Sequence, residues 1–395
     1  MLSVVAQIAI SVADAAFVGL LGTEALAALA LVFPAQMIMG MMSAGAMGGG
    51  ISSAVARALG AGDRAKAQAA ALHAIVIALV MACAFVIVFV GFGRPIFGAM
   101  DGSGAALDGA VANARVLFLG AAAPWLANSL ASILRGSGDM RTPAVALVAG
   151  ALIQIPLSGA LTLGWGPFPP LGVVGPAAAA VVSFAGSAIW MAMPLLGAGA
   201  AVRLRSAPLR LAPFLDILKV GAVGCVSVVL INLTIMMVTG LIGRAGQAAL
   251  AGYGIGSRLE YMMVPLSFGI GATLTAMVGT NFGARRYARA QSAAWTGAAM
   301  AAAMAGLVGL VVTIFPDLWL SLFTTEPAVL EQGRLYLRMV GPLYALFGGA
   351  TALNFASQGT GSMLWPVAAN LCRIVVAGGG GTLALTHFGW GATGV

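Results

Sequence analysis

Asp14 is the lone charge near the middle of an apolar stretch, and Gln7, Ser11 and Asp14 follow one another at spacings of four and three. On a helix those three share one face. An aspartate at that depth in a bilayer costs about 2.5–3.5 kcal/mol on insertion scales, so something must compensate it. A carboxyl group so placed can hold a proton and yield it when a cation arrives, which is the chemistry of coupling one flux to another. The alternative is structural, an aspartate hydrogen-bonded to a neighbouring helix. Gln154, Ser158 and Thr162 form a second single-face line, and Thr351, Asn354 and Gln358 a third; Asn232 stands by itself. Each suits a polar path for a substrate, and each equally suits hydrogen bonds that join helices.

Glu260 and Arg258 lie two apart, point in different directions on a helix and cannot neutralise each other directly. Arg373, another isolated charge, could pair with Glu260. Glu260 is thus a member of a structural ion pair or a second acid able to hold a proton. Pro34, Pro156 and Pro265 interrupt apolar stretches and are hinge candidates, although proline is common in membrane helices in any case. His73 has no acid near it in sequence and reads as a packed histidine. Cys83, Cys225 and Cys372 are far apart, without metal spacing, and read as inert packing.

The elements that must position these residues follow from composition. Hydrophobic residues make up 61% of the chain and charged residues 8%, with a mean hydropathy of +1.03, which no soluble surface can accommodate. Apolar runs near 3–22, 27–57, 68–92, 111–134, 144–163, 173–196, 217–242, 250–281, 292–315, 333–357 and 366–387 predict eleven membrane helices. The runs are continuous and not alternating, which excludes a strand barrel. Loops after the even-numbered spans carry Arg57, Arg64, Lys66, Arg135, Arg141, Arg203, Arg205, Arg210, Lys219, Arg285, Arg286 and Arg289, whereas the opposite loops carry Arg94 and Arg244 but also Glu24, Asp101, Asp108, Asp317 and Glu326. The bias predicts a cytoplasmic amino terminus, and it accounts for the net charge of +8 without nucleic acid.

The stretch Arg135-Gly136-Ser137-Gly138-Asp139-Met140-Arg141-Thr142-Pro143 returns as Gln358-Gly359-Thr360-Gly361-Ser362-Met363-Leu364-Trp365-Pro366, and 358 minus 135 is 223 residues. The same displacement lays Leu59-Gly60-Ala61 on Phe282-Gly283-Ala284, so the chain is a duplication. Six spans per copy make two bundles related by an axis along the membrane normal. The expected organisation is an all-α polytopic membrane protein of two pseudo-symmetric six-helix bundles: a first lobe over 1–200, a cytoplasmic linker over 201–216 and a second lobe over 217–395. The second lobe is expected to lack its last helix, and the front end to be clipped.

Four strings together carry a resemblance: Asp14-Ala15-Ala16-Phe17-Val18-Gly19, Ala56-Arg57-Ala58-Leu59-Gly60-Ala61-Gly62-Asp63, Gly172-Val173-Val174-Gly175-Pro176, and Val278-Gly279-Thr280-Asn281-Phe282-Gly283-Ala284. With the Arg135–Pro143 stretch, they resemble the bacterial multidrug and toxic compound extrusion family. The resemblance implies twelve helices in two lobes, alternating access, and export of amphipathic or cationic drugs and toxic compounds in exchange for H+ or Na+. The span-one aspartate of the family falls on Asp14. Span seven offers Asn232 and Thr234 where some members carry a carboxylate, and span five offers Gln154 and Ser158.

No phosphate loop, metal-spaced cluster or hydrolase elbow is present in the sequence, so neither an ATP-driven pump nor a metalloenzyme is expected, and the cofactor expectation is none beyond the coupling ion. An intramembrane enzyme needs converging acids or a nucleophile and base, whereas the acids here are isolated. A flippase for a lipid-linked saccharide is the nearer alternative; few intramembrane arginines argue against it. The expected partners are a small-molecule substrate and membrane lipid, the expected state a monomer, and the expected location the plasma (inner) membrane.

Overall fold

The structure is a computed structural model describing residues 2–197, 199–205, 208–244 and 246–386; the side chains of 2–8, 261–262, 264–266 and 384–386 lie outside the description. Among the described residues every regular element is a helix. The first eight are α1 (Leu2–Gly19), α2 (Thr23–Gly60), α3 (Arg64–Gly91), α4 (Gly93–Gly98), α5 (Gly104–Leu119), α6 (Ala122–Gly136), α7 (Arg141–Leu163) and α8 (Gly172–Leu196). There follow α9 (Leu211–Arg244), α10 (Gln247–Gly283), α11 (Tyr287–Ile314), α12 (Asp317–Leu320), α13 (Pro327–Thr360), α14 (Leu364–Val375) and α15 (Gly381–Thr386).

Seven of these, α2, α3, α7, α8, α9, α11 and α13, are long and apolar enough to cross a membrane, and the pair α5 and α6, bent by 45°, makes an eighth. The other three expected spans are helical but fall short of that measure on the described residues. The described apolar part of span one is Ala9–Gly19; α10 includes residues 261–262 and 264–266, whose side chains lie outside the description; span eleven is divided by a π-turn, Val376–Gly380. Another π-turn, Met41–Met47, lies within α2.

The chain separates into two compact units, Met1–Gly221 and Ala222–Val395. The 201–216 stretch, expected as linker, is helical from Leu211. Pro213 sits in that helix's first turn, where its missing N–H removes no intrahelical bond. Side-chain partners hold this start within the first unit. Asp216 pairs with Arg57 at 3.0 Å and with Lys219 at 2.6 Å. His73 is fully buried: its Nε2 accepts the Arg210 N–H at 2.9 Å, so its Nδ1 is left to donate to the Ala69 carbonyl at 2.7 Å, and Phe214 meets the ring edge-on at 4.4 Å. This is the packed histidine the sequence suggested. Of the cysteines, Cys225 is buried, but Cys83 and Cys372 lie on the surface, so packing does not explain those two.

Without a hydrophobic force between helices in lipid, close approach depends on small residues. A β-carbon on Gly136 would sit 2.6 Å from the Ser52 carbonyl oxygen, and one on Gly359 would sit 2.8 Å from that of Thr275. Aromatic rings fill the remaining space of the first unit, where Phe89 stacks on Phe118 at 4.4 Å and Phe85 reaches Trp125. In the second unit, Leu259, Met263, Leu337 and Tyr344 form the corresponding core.

Candidate functional site

In the first unit α1 lies against α7. The contact is close because Gly159 has no side chain: a β-carbon there would meet Trp165 at 2.7 Å and Phe17 at 3.0 Å, and those two rings pack edge-to-face at 5.5 Å. One turn from Phe17, half-buried Asp14 accepts a hydrogen bond from the fully buried hydroxyl of Ser158. This is the compensation Asp14 required. A carboxylate has room for about four such donors, and among the described residues the Ser158 hydroxyl meets part of that demand. A proton or an entering cation can supply the rest. Gln154 and Thr162 flank Ser158 on the same face, and all three are buried. Ser11 is exposed, and the side chain of Gln7 lies outside the described residues.

In the second unit, the phenol of Tyr336 on α13 donates to Glu260 on α10. Gly256 makes the approach possible, since a β-carbon there would overlap the Tyr336 ring at 2.3 Å. Tyr253 packs edge-on against Tyr336 at 5.4 Å, and among the described residues the buried Tyr344 hydroxyl has no hydrogen-bond partner. Arg258 lies over the Phe323 ring at 5.4 Å, away from Glu260, as their spacing required. Among the described residues no ion pair within 4 Å joins Glu260 to Arg373, which is exposed on α14, although the Arg373 charge still acts on the Glu260 carboxyl group; the direct bond comes from the Tyr336 phenol.

Several other candidates bond within their own helices. Asn232 donates to the Val228 carbonyl at 2.8 Å and Thr351 to that of Phe347 at 2.8 Å, so neither joins two helices by these bonds. The Gln358 amide reaches the Asn354 oxygen at 3.4 Å. The helices run on through Pro34 and Pro156, and the side chain of Pro265 lies outside the described residues. Sequence reading missed one polar chain. Asn128 donates to Ser43 in the π-turn of α2 at 2.9 Å, Ser132 to the Asn128 carbonyl at 2.7 Å, and Arg135 to Ser132 at 3.1 Å. Asn128, Ser132 and Arg135 stand at i, i+4 and i+7, the same signal that identified the Asp14 face.

A duplicated, multi-pass helical protein with isolated acids in its spans has the architecture of a membrane transporter, the class to which its relatives also belong. Its family is established by comparison: the MatE family model matches residues 1–159 and 224–378, and the chain belongs to that family of multidrug and toxic compound extrusion proteins. The two matched segments start 224 minus 1, or 223, residues apart, which is the displacement read from the sequence. Over 381 residues the chain is 27% identical to a protein of Shewanella oneidensis named "FAD transporter", covering 93% of this chain and 81% of that one. It is 24% identical to the Bacillus subtilis "Probable multidrug resistance protein YoeA" over 90% of this chain and 77% of the relative. Among solved structures, a MATE protein in the bent conformation superimposes with a TM-score of 0.91 at 25% identity, covering 100% of this chain and 88% of that one. An outward-facing multidrug resistance MATE transporter of the MOP superfamily gives 0.89 at 25% identity over the same shares.

Proposed function

We propose that this chain is a secondary antiporter, exporting amphipathic or cationic compounds in exchange for H+, with Na+ as the alternative coupling ion, by alternating access. The observation that carries the reading is Asp14, a span-one carboxylate that accepts a hydrogen bond from the buried Ser158 hydroxyl. Proton and cation compete for one group, so occupation by either opposes the other, and the two fluxes are linked. The relative named for multidrug resistance supports the substrate class. The chain works as a monomer in the plasma (inner) membrane with its amino terminus in the cytoplasm, needs no cofactor beyond the coupling ion, and binds no nucleic acid.

The relative named for FAD favours a second cargo, a dinucleotide. Asp14 speaks against it, because a carboxylate repels phosphate oxygens; a lipid-linked saccharide is disfavoured on the same ground. The test is transport by the purified protein in liposomes, with a fluorescent cation, FAD and a lipid-linked saccharide offered separately under imposed H+ and Na+ gradients. Uphill movement of the cation on a proton gradient, lost in Asp14→Asn, is the expected result. Cargo movement of FAD or lipid alone, or undiminished transport by Asp14→Asn, overturns the proposal.

A further inference from the structure

The turn between α10 and α11 reproduces three backbone hydrogen bonds of the turn between α2 and α3. In the first, the N–H groups of Ala61, Gly62 and Asp63 donate to the carbonyls of Arg57, Leu59 and Ala58 at 3.0, 3.0 and 2.9 Å. In the second, 223 residues on, Ala284, Arg285 and Arg286 donate to Thr280, Phe282 and Asn281 at 3.0, 3.0 and 2.8 Å. The side chains chosen for this shared backbone differ. Gly62 occupies the left-handed region at φ +77, where glycine is unstrained; Arg285 takes the same conformation at φ +57, with a β-carbon that disfavours it. Asp63 caps the next helix by accepting the Lys66 N–H at 2.9 Å, while Arg286, at the same place, supplies no side-chain cap.

Local stability is given up at two positions of one turn, each time in favour of arginine, and Arg289 adds a third on the same side. Residues 60–67 hold two basic groups less one acid, a net +1, against +3 for 283–290. No acid occurs between Glu260 and Asp317. Among the described residues, Arg285, Arg286 and Arg289 are exposed and form no ion pair, whereas Arg94 and Arg334 are paired with Asp108 and Asp317. The three share one open stretch of surface with Tyr287 and Ala288. Exposed Tyr287 and Trp295 start the following span, the level at which aromatic side chains meet headgroups. Topological bias asks for positive charge on one side of a membrane but does not require arginine at a left-handed position.

We infer that this turn docks the phosphate headgroup of an anionic phospholipid, with Arg285, Arg286 and Arg289 as its ligands, and that the matching turn of the first unit does not. Guanidinium groups take phosphate oxygens in paired hydrogen bonds, and at the end of a span the source of phosphate is the bilayer itself. The experiment measures the unfolding temperature of the purified full chain in neutral detergent with phosphatidylglycerol, phosphatidylcholine or soluble glycerol phosphate added. A bound lipid raises that temperature by mass action. Phosphatidylglycerol alone is expected to raise it by a few degrees. Arg285→Gly combined with Arg286→Asp, which writes the first turn's pattern into the second, is expected to abolish the rise while unfolding no earlier than wild type in phosphatidylcholine. Arg64→Gln with Lys66→Gln should keep the rise in full. If the double variant is unstable, Arg289→Gln and Arg285→Gly singly repeat the test. A full rise in the altered second turn, or an equal rise with glycerol phosphate or phosphatidylcholine, overturns the inference.

Discussion

Gly48 of the first unit faces the Ser132 hydroxyl; 223 residues on, Gly271 of the second faces the Phe355 ring, and Phe355 is the counterpart of Ser132. Gly136 rests on Ser52 and Val55 as Gly359 rests on Thr275 and Val278, again one displacement apart. Gly138 and Gly361 both turn the chain through the left-handed region, at φ +94 and +81. The packing of helix on helix has therefore survived duplication, while the chemistry has not. Asp14 maps to Met237, Ser158 to Gly381 and Glu260 to Met37. A glycine contact is fixed by distances that any substitution violates, whereas a polar group is free to change once its partner changes. Each unit thus carries its own acid with its own hydroxyl partner, Ser158 for Asp14 and Tyr336 for Glu260.

The sharpest way to break this contrast is to neutralise the two acids separately. Asp14→Asn is expected to reduce gradient-driven efflux to the level of protein-free vesicles while the protein stays folded, and Ser158→Ala to lower it in part; both are read by transport in liposomes. Glu260→Gln should leave more transport than Asp14→Asn. Equal losses from the two would remove the distinction between the units. The packing half of the contrast predicts that Gly136→Ala and Gly359→Ala each destabilise by about 1–3 kcal/mol, since both drive a β-carbon into a carbonyl oxygen. Thermal unfolding checks this, and an effect confined to one unit would show that the two contacts are not equivalent.

A smaller effect sharpens the second unit's side of the comparison. Tyr336→Phe leaves the Glu260 carboxylate without its phenol and is expected to cost roughly 1.5–3 kcal/mol, the usual range for a hydrogen bond to a charged group. With Glu260→Gln already in place, the further cost of Tyr336→Phe should fall. Additive costs in that double-mutant cycle would mean the phenol acts through packing against Gly256 and Tyr253 instead.

The spans and the repeat were legible because each leaves a periodic or repeated trace in the chain. Asp14 and Ser158 were each visible as members of a polar face, but the bond between them joins residues 144 apart, and no spacing within one helix encodes it. Glu260 was visible as an isolated acid, and its partner was sought in the opposite charge of Arg373; a tyrosine, apolar by composition, gives no such signal. Asn232 and Thr351 show the converse, polar residues whose local hydrogen bonds return to their own backbones, which sequence cannot separate from bonds between helices. The Arg135–Pro143 stretch was the clearest mark of duplication. Its meaning is structural: Gly136 is a close contact, Gly138 a left-handed turn and Asp139 the cap of the next helix.

That cap distinguishes the two copies of the stretch at the lowest energy. The Asp139 carboxylate accepts the N–H groups of Arg141 and Thr142 at 3.0 and 2.9 Å and the Thr142 hydroxyl at 2.6 Å. At the equivalent place, the Ser362 backbone N–H donates to Thr360 at 3.3 Å, and no hydrogen bond of the Ser362 side chain appears among the described residues. Asp139→Ala is expected to lower stability by about 1 kcal/mol, and Ser362→Ala by less than about 0.5 kcal/mol. Partial burial pushes the Asp139 carboxyl upward, but the Thr142 and Arg141 hydrogen bonds and the Arg141 charge outweigh it and hold the group below its ordinary value. A lowered carboxyl contributes its stabilisation above the unfolded value, near pH 4, and loses it as pH falls through the folded value. The gap between wild type and Asp139→Ala should accordingly be full at neutral pH and shrink in acid, with no such trend for Ser362→Ala. Unfolding midpoints measured across that range check the sign, and a gap that widens in acid would remove Asp139 as an ionised cap.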